Sequence, residues 1–246
     1  MANFLPLKQY MVYCLDRFIE QYGLAPPFLE IGCGKGDASA HLARKGWSGV
    51  AIDFSDTAVA HAQRTLAPYP GVTVRRQTLG ETTGTFATIL LWDVLEHIDD
   101  DRAALHDIAK LLTPGGQLLI AVPSNPREWR WDDDFYGHFR RYTVEELAAK
   151  LAEAGMESQA FWDFTFPVFW ALRRAYTRVK RPPALSGDKE AATRASATVS
   201  AWELPLVSRI LDRSALLWRP LHPLQFKLFR NATARGHEFF ALARKV

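Results

Sequence analysis

Three glycines at alternate positions, Gly32, Gly34 and Gly36, follow the short apolar run 28–31. A glycine-rich loop between a strand and a helix exposes backbone N–H groups and lets a ligand lie directly against the main chain. Asp53 ends the next predicted strand, 17 residues beyond Gly36. A carboxylate at that place can accept hydrogen bonds from the two hydroxyls of a ribose. The spacing therefore predicts a site for a cofactor that contains a nucleoside.

Two kinds of cofactor fit this loop. A dinucleotide site has the pattern Gly-x-Gly-x-x-Gly, and its third glycine would fall at Asp37. A carboxylate beside a pyrophosphate is electrostatically unfavourable, whereas S-adenosylmethionine has no phosphate and carries positive amino and sulfonium groups. The acids Glu30 and Asp37 suit those groups. We therefore favour S-adenosylmethionine as cofactor over the alternative of a nicotinamide oxidoreductase.

A second group of polar side chains follows the fourth predicted strand. Asp93 ends that strand, and Glu96 and His97 come directly after it in the stretch VLEHI. Because ligands of open parallel sheets bind beyond the carboxyl ends of the strands, Asp93 is expected to face the cofactor. Asp93 and His97 are candidate catalytic residues. The alternatives are that Asp93 caps the next turn and that His97 makes a structural hydrogen bond.

The loop after the fifth predicted strand, DDDFYGHFRRYT, supplies the candidate general base. It contains His138, Arg140, Arg141 and Tyr142. An imidazole can take up a proton near neutral pH, and two guanidinium groups can hold an anion. His138 is therefore the first choice for a catalytic base, and the alternative is that the two arginines pair with the preceding aspartates. No metal-ligand spacing stands out, so no metal site is predicted.

Composition is that of an ordinary globular protein. The 246 residues are 48% hydrophobic and 23% charged, which allows one large domain with an attachment. No uncharged apolar run reaches the ~18 residues of a membrane-spanning helix, and the N-terminus lacks the pattern of a secretory signal. Cys14 and Cys33 are the two cysteines, which excludes a disulfide framework. We expect a cytoplasmic protein.

Strand-like and helix-like segments alternate along the chain. Such alternation predicts an α/β fold with a doubly wound, mostly parallel sheet between two layers of helices. Strands are predicted at 28–31, 48–53, 71–77, 85–93, 117–124, 156–162 and 237–245. Helices are predicted at 7–22, 37–45, 55–66, 100–112 and from a capping box at 143–146 to position 155, with a turn at TPGG before the fifth strand.

Four stretches within residues 28–165 together resemble one family. They are FLEIGCGKGDASAHLARKGW, VAIDFSDTAVAHAQ, TFATILLWDVLEHIDDDRAALHDIAKLLTPGGQLLIAVPS and GHFRRYTVEELAAKLAEAGM. In these stretches the chain is similar to class I S-adenosylmethionine-dependent methyltransferases, in particular their small-molecule branch. The resemblance implies a Rossmann-like, seven-stranded sheet with an antiparallel last strand. It also implies a cofactor-binding domain of residues 1–162 with 237–246, interrupted by an insertion at 163–236.

The same resemblance implies the cofactor contacts. The glycine loop would lie against the methionine and ribose, Asp53 would hold the ribose hydroxyls, and Phe54 would pack against adenine. Glu30 would organise the loop or hold the methionine amino group. Many relatives place an adenine-binding acid after the third strand, where this chain has Gln77, Thr78 and Leu79. The complete set of predicted contacts is Glu30, Gly32, Cys33, Gly34, Gly36, Asp53, Phe54, Thr78 and Asp93.

The insertion at 163–236 is long and basic. Residues 1–172 carry a net charge of −7, whereas residues 173–246 carry 15 Lys/Arg and 5 Asp/Glu, a net of +10. The segment 165–181 predicts a basic amphipathic helix, which can lie on an anionic membrane surface. The stretch 202–218 predicts a second amphipathic helix. We expect a helical lid over the pocket, with peripheral membrane contact through 165–181, or else simple packing on the domain.

These observations together predict methyl transfer to a small-molecule or lipid-like acceptor, with oxygen favoured over nitrogen or carbon. One alternative is a non-catalytic, cofactor-binding partner subunit, which the intact glycine loop and Asp53 disfavour. Another is a nucleic-acid methyltransferase. Relatives that methylate bases usually carry Asn/Asp-Pro-Pro-Tyr after the fourth strand, where this chain has LWDVLEH. Nucleic acid is therefore disfavoured, and the oligomeric state stays open.

Overall fold

A single seven-stranded sheet forms the centre of the protein. The computed structural model describes residues 5–180, 189, 192–193 and 218–246. The strand order is β3-β2-β1-β4-β5-β7-β6, and only β7 runs antiparallel to its neighbours. The strands are β1 Phe28–Ile31, β2 Gly49–Asp53, β3 Val72–Arg76, β4 Phe86–Trp92, β5 Leu112–Pro123, β6 Met156–Asp163 and β7 Glu238–Lys245. The predicted fold class is confirmed.

Helices cover both faces of the sheet. They are α1 Leu5–Tyr22, α2 Asp37–Arg44, α3 Asp56–Leu66, α4 Asp101–Leu111, α5 Trp131–Tyr136, α6 Val144–Glu153, α7 Val168–Val179 and α8 His222–Phe229. One apolar core includes α4 and α6, and the other includes α1, α2, α3, α7 and α8. Residues 118–122 of the central strand β5 are all buried, as expected for a strand covered on both faces.

The topology places the candidate residues at one edge of the sheet. The strand order reverses direction between β1 and β4, so the connections after these two strands leave a crevice beyond their carboxyl ends. The glycine loop follows β1, Asp53 ends β2, and Asp93 follows β4. Ser124 follows β5 and pairs with Tyr142 in an isolated parallel bridge. That bridge ties the loop that contains His138 to the same edge.

Two local predictions differ from the structure. The TPGG turn lies inside β5 as a bulge, because Leu112 already pairs with Phe86 before the register shifts. The loop after β5 contains the helix α5 at 131–136, which was predicted as irregular. Asp133 accepts a hydrogen bond from the backbone N–H of Arg130, and Gly137 ends the helix with φ 76°. Acids in the first turn and a glycine after the last are the signals for this helix.

The described part of the insertion is helical at both ends. Helix α7 begins at Val168, within the predicted segment 165–181, and α8 lies just before β7. The predicted helix at 202–218 lies outside the described residues, apart from its last position. Among the helices that the structure describes, none is both long and apolar enough to cross a membrane.

Candidate active site

The glycine loop has the backbone that its sequence predicts. Gly32, Gly34 and Gly36 all have positive φ, at 69°, 53° and 77°. A Cβ on Gly32 would lie 2.5 Å from a methyl carbon of Val94, so a side chain there is excluded by space as well as by conformation. The N–H of Gly34 donates to Asp53 Oδ2 at 2.9 Å. Asp53 therefore positions the loop, and this cradle of exposed backbone fits a ligand that lies against the main chain.

Asp53 is buried at the end of β2. Its Oδ1 accepts a second hydrogen bond from the N–H of Ser55 at 2.9 Å. Burial raises the pKa of this carboxyl, and the hydrogen bonds from Ser55, Gly34 and Phe54 oppose that shift. Each carboxylate oxygen has a further lone pair for a ribose hydroxyl. Phe54 beside it is 39% exposed, so one ring face is accessible for stacking.

Glu30 connects β1 to the first turn of α2. It is almost fully buried, and its Oε2 accepts hydrogen bonds from the backbone N–H of Ser39, at 2.9 Å, and from the Ser39 hydroxyl. Burial raises the pKa of Glu30 to about 7, although the bonds from Ser39 lower it. The geometry supports the loop-organising role among the two that were predicted for this residue.

Cys33 and Thr78 are held by other parts of the protein. The Cys33 side chain belongs to the apolar core, and its backbone N–H donates to the carbonyl of Ile52 at 2.9 Å. The Thr78 hydroxyl donates to Glu81 Oε2 at 2.8 Å in a capping box. Their contacts with a cofactor stay predictions.

Asp93 adopts a strained backbone next to the glycine loop. Its φ is 53°, which is unusual for a residue other than glycine, and its N–H donates to the carbonyl of Ala121 at 3.0 Å. Burial among protein atoms raises the pKa of Asp93. The residue as a whole is exposed, so solvent also screens the carboxylate.

Glu96, His97 and His138 meet beside Asp93. One ligand-type atom from each of the three lies within 4.8 Å of those of the other two. His138 Nε2 is 3.9 Å from Glu96 Oε1, and the two imidazole rings meet edge to face at 4.8 Å. Glu96 is completely buried, and Asp93 and Glu238 raise its pKa beyond the effect of burial. Burial and the neighbouring His138 lower the pKa of His97 to about 3, so its imidazole is neutral.

Asp133 orients His138. Its Oδ1 lies 2.9 Å from His138 Nδ1 and also accepts from Arg141 Nε at 2.8 Å, while Oδ2 accepts from Arg173 Nη2 at 2.8 Å. Burial alone would raise the pKa of Asp133, but the bond to His138 and the charges of the two arginines lower it well below its usual range. The carboxylate is therefore ionised, and it directs His138 Nε2 toward Glu96.

The two arginines that were predicted to hold an anion, Arg140 and Arg141, pair with groups inside the protein. Arg141 is 4% exposed and also donates to the carbonyls of Ser124 and His237. Arg140 donates to the carbonyls of Ile98 and Asp99. The guanidinium of Arg140 also pairs with Asp101. Asp101 in turn accepts a hydrogen bond from the hydroxyl of the fully buried Tyr142 at 2.8 Å. Arg141 pairs with Asp133, as the alternative for this residue predicted, and a clamp on an acceptor anion stays a prediction.

The insertion contacts the same cluster. Lys189 Nζ donates to the carbonyl of His138 at 3.0 Å, and Thr193 Oγ1 lies 3.2 Å from His97 Nδ1. Arg173 of α7 reaches the site through Asp133. Sequence patterns pointed to neither Lys189 nor Thr193 nor the orienting role of Asp133. The one sequence signal for the contact between Asp133 and His138 was their separation of five residues. Asp133 lies within a short helix, and His138 lies just after that helix ends.

The comparison with protein families decides which family this arrangement belongs to. A family model described as "Methyltransferase domain" matches residues 10–160. The chain belongs to this methyltransferase family. The resemblance to class I S-adenosylmethionine-dependent methyltransferases is confirmed, and with it S-adenosylmethionine as the cofactor of the family.

Curated relatives and solved structures agree with this family. A ubiquinone biosynthesis O-methyltransferase of Parvibaculum lavamentivorans is 38% identical over 176 residues, which cover 60% of this chain and 66% of the relative. One of Caulobacter sp. (strain K31) is 39% identical over 100 residues, 38% of this chain and 39% of the relative. The chain thus spans about two fifths to two thirds of the length of these methyltransferases.

A solved structure shares the fold of this chain. The N-methyltransferase NodS from Bradyrhizobium japonicum, in complex with S-adenosyl-L-homocysteine, has a TM-score of 0.56 and 16% identity. The match covers 98% of this chain and 88% of NodS. At this identity the likeness shows the fold alone.

Replacing Asp53 tests the cofactor site. We expect Asp53→Ala to weaken S-adenosylmethionine binding by about ten-fold or more, because a hydrogen bond to a charged group is typically worth ~1.5–3 kcal/mol. Isothermal calorimetry measures the affinity. The matched control is Asp56→Ala, which removes an exposed carboxylate paired with Arg76. Equal affinities of the Asp53→Ala variant and the unmodified protein would remove Asp53 from the site.

Replacing Asp133 tests the buried ionic network. We expect Asp133→Asn to lower the free energy of unfolding by about 3 to 5 kcal/mol, because breaking a buried pair leaves the charge of Arg141 without its counter-charge. Urea titration measures the loss. Asp134→Asn is the matched control. It removes an exposed neighbour, and we expect it to cost less than about 1 kcal/mol.

The Asp133→Asn variant also tests how the free energy of unfolding depends on pH. The pKa of Asp133 is lowered in the folded state, so its contribution is present above the unfolded pKa of about 4 and is lost as the pH falls below it. The stability difference between the unmodified protein and Asp133→Asn should therefore shrink between about pH 5 and pH 2. A difference that stays constant over this range would contradict the assignment.

Proposed function

We propose that the protein transfers a methyl group from S-adenosylmethionine to an oxygen of a small, lipid-like acceptor. The observation that carries this proposal is the imidazole of His138, held by Asp133 and directed toward Glu96 just after the carboxyl end of β4. S-adenosylmethionine, when bound, supplies a methyl group on a positively charged sulfur. The residues of this chain have to align an acceptor with that methyl group and help to remove a proton.

An oxygen acceptor is favoured because the site has groups that can help to remove the proton of a hydroxyl. A phenolic hydroxyl has a pKa near 10, so its oxygen becomes a good nucleophile only when the proton leaves. An amine can lose its proton to water before it binds. A cluster with two imidazoles and two carboxylates at the carboxyl end of β4 suits the first task. The names of the ubiquinone biosynthesis O-methyltransferases support the same atom.

The insertion supports a proposal about access to the acceptor site. Lys189 and Thr193 contact the histidine cluster, so we propose that residues 163–236 form one wall of the acceptor pocket. A wall of this kind determines which acceptors fit. The rest of the chain, residues 1–162 with 237–246, forms the cofactor-binding domain in this proposal.

A lipid-like acceptor is supported by the outer face of α8. Leu224 and Leu228 of α8, and Leu221 just before it, are each about half exposed, and their spacing puts them on one side. Phe226 on the opposite side is buried. Residues 218–230 contain three Lys/Arg and no Asp/Glu. We propose that this face contacts an anionic membrane surface.

The helix that was predicted for membrane contact is less suited to it. Two of its arginines, Arg173 and Arg174, pair with Asp132 and Glu128 inside the protein. Their charges therefore do not belong to an exposed basic face. The same pairing weakens the case for a nucleic-acid acceptor, because it withdraws cations that a phosphate backbone would need.

Turnover by His138 variants tests the proposed function. We expect His138→Asn to lower the rate of transfer to alkyl-substituted phenols and catechols by ~10²–10⁴. Cofactor affinity should stay unchanged. His106→Asn is the matched control, since it removes an exposed imidazole of α4. The proposal fails if His138→Asn keeps near-normal turnover, or if amines of the same size are methylated faster than the phenols.

Vesicle binding tests the α8 surface. We expect the protein to sediment with vesicles that contain anionic lipid, and less so at high salt, since screening acts over ~8 Å at physiological ionic strength. The double substitution Leu224→Gln with Leu228→Gln should abolish this sedimentation. The control is Val246→Gln, which removes an apolar side chain that is 90% exposed at the end of the chain, beyond β7. Equal sedimentation of both variants would exclude α8 as the contact.

A further inference from the structure

Glu96 is a carboxylate without a donor. It is completely buried, and no described residue donates a hydrogen bond to Oε1 or Oε2. Buried carboxylates are normally hydrogen-bonded or bound to a cation. Both oxygens of Glu96 are therefore unsatisfied acceptors.

One imidazole nitrogen, His138 Nε2, lies 3.9 Å from Oε1 of this carboxylate, and His97 belongs to the same cluster. His138 Nδ1 is bonded to Asp133, and His97 Nδ1 lies 3.2 Å from the hydroxyl of Thr193. In both histidines Nε2 is left for another partner. A histidine that binds a metal through one nitrogen is typically oriented by a hydrogen bond at the other nitrogen, often to a carboxylate. The contact between Asp133 and His138 has this form.

We propose that Glu96, His97 and His138 bind a divalent transition-metal ion. Two imidazoles with one carboxylate form a donor set that zinc, iron(II) and similar ions accept, whereas magnesium and calcium prefer oxygen ligands alone. The three ligand-type atoms lie within 4.8 Å of one another. Bonds of about 2.0–2.2 Å require separations of about 3–3.5 Å, so side-chain shifts of about 1 Å complete the site.

Such an ion has a chemical use at this place. It lies at the carboxyl end of β4, beside Asp93 and the glycine loop. A divalent ion that contacts a hydroxyl lowers its pKa, so the proton can leave to solvent before the carbon–oxygen bond forms and the carbon–sulfur bond breaks. This consequence rests on the proposed function, and the contribution of His138 to proton removal then acts through the ion. Metal binding itself does not depend on that function.

Direct metal binding tests the proposal without cofactor or acceptor. Full-length protein is first treated with a chelator and then titrated with Zn²⁺ by calorimetry. We expect one Zn²⁺ per chain. Glu96→Gln and His138→Asn should each weaken the affinity by at least about 100-fold, because loss of even an outer-shell partner typically costs 10–100-fold. The control His106→Asn should bind like the unmodified protein.

A second probe keeps the result decisive if a variant is poorly folded. Added Co²⁺ should give weak visible bands typical of nitrogen and oxygen ligands in the unmodified protein. Zn²⁺ should raise the unfolding temperature of the unmodified and His106→Asn proteins but not that of Glu96→Gln. No binding, binding that Glu96→Gln leaves unchanged, or an intense thiolate band from Cys14 or Cys33 overturns the proposal. Because no methyl transfer is measured, failure of the proposed function leaves this result intact.

Discussion

The site depends on the hydrogen bonds and ion pairs of one buried carboxylate, that of Asp133. It accepts hydrogen bonds from a histidine of the loop after β5, from Arg141 and from Arg173 of the insertion. A carboxylate this deeply buried is stable only while those donors surround it. Two separate chain segments, the stretch 138–141 and helix α7, are therefore positioned by one group, and neither can move away without leaving a buried charge unpaired.

This constraint links the insertion to the histidine cluster. Helix α7 is anchored by Arg173 and Arg174, whose partners lie between β5 and the end of α5. Lys189 and Thr193 then reach the two histidines from the same side. Buried ion pairs contribute little net stability compared with apolar packing, but they allow few alternative arrangements. The network thus gives helix α7 a defined position against the stretch 128–133.

The glycine loop could be read from the sequence because its signals are local. A strand, three glycines and an acid at the end of the next strand predict the loop, and its positive φ angles and the bond from Gly34 to Asp53 agree with them. The partners of the two arginines in the loop after β5 could not be read in this way. Arg140 and Arg141 were interpreted as anion clamps, yet their partners come from Asp101 and from Asp133. Charge alone does not reveal whether a side chain faces solvent or a buried counter-charge.

The sequence by itself determined the sheet, the family and the backbone conformation of the glycine loop. Hydrophobic periodicity and glycine positions express backbone preferences over a few neighbouring residues, and these survive in any correct fold. Only the tertiary structure decided that Glu96, His97 and His138 share one cluster and that residues of the insertion contact it. His138 lies 41 positions after His97 and Thr193 a further 55. Contacts across such distances depend on how helices pack on the sheet, and no local pattern encodes that packing.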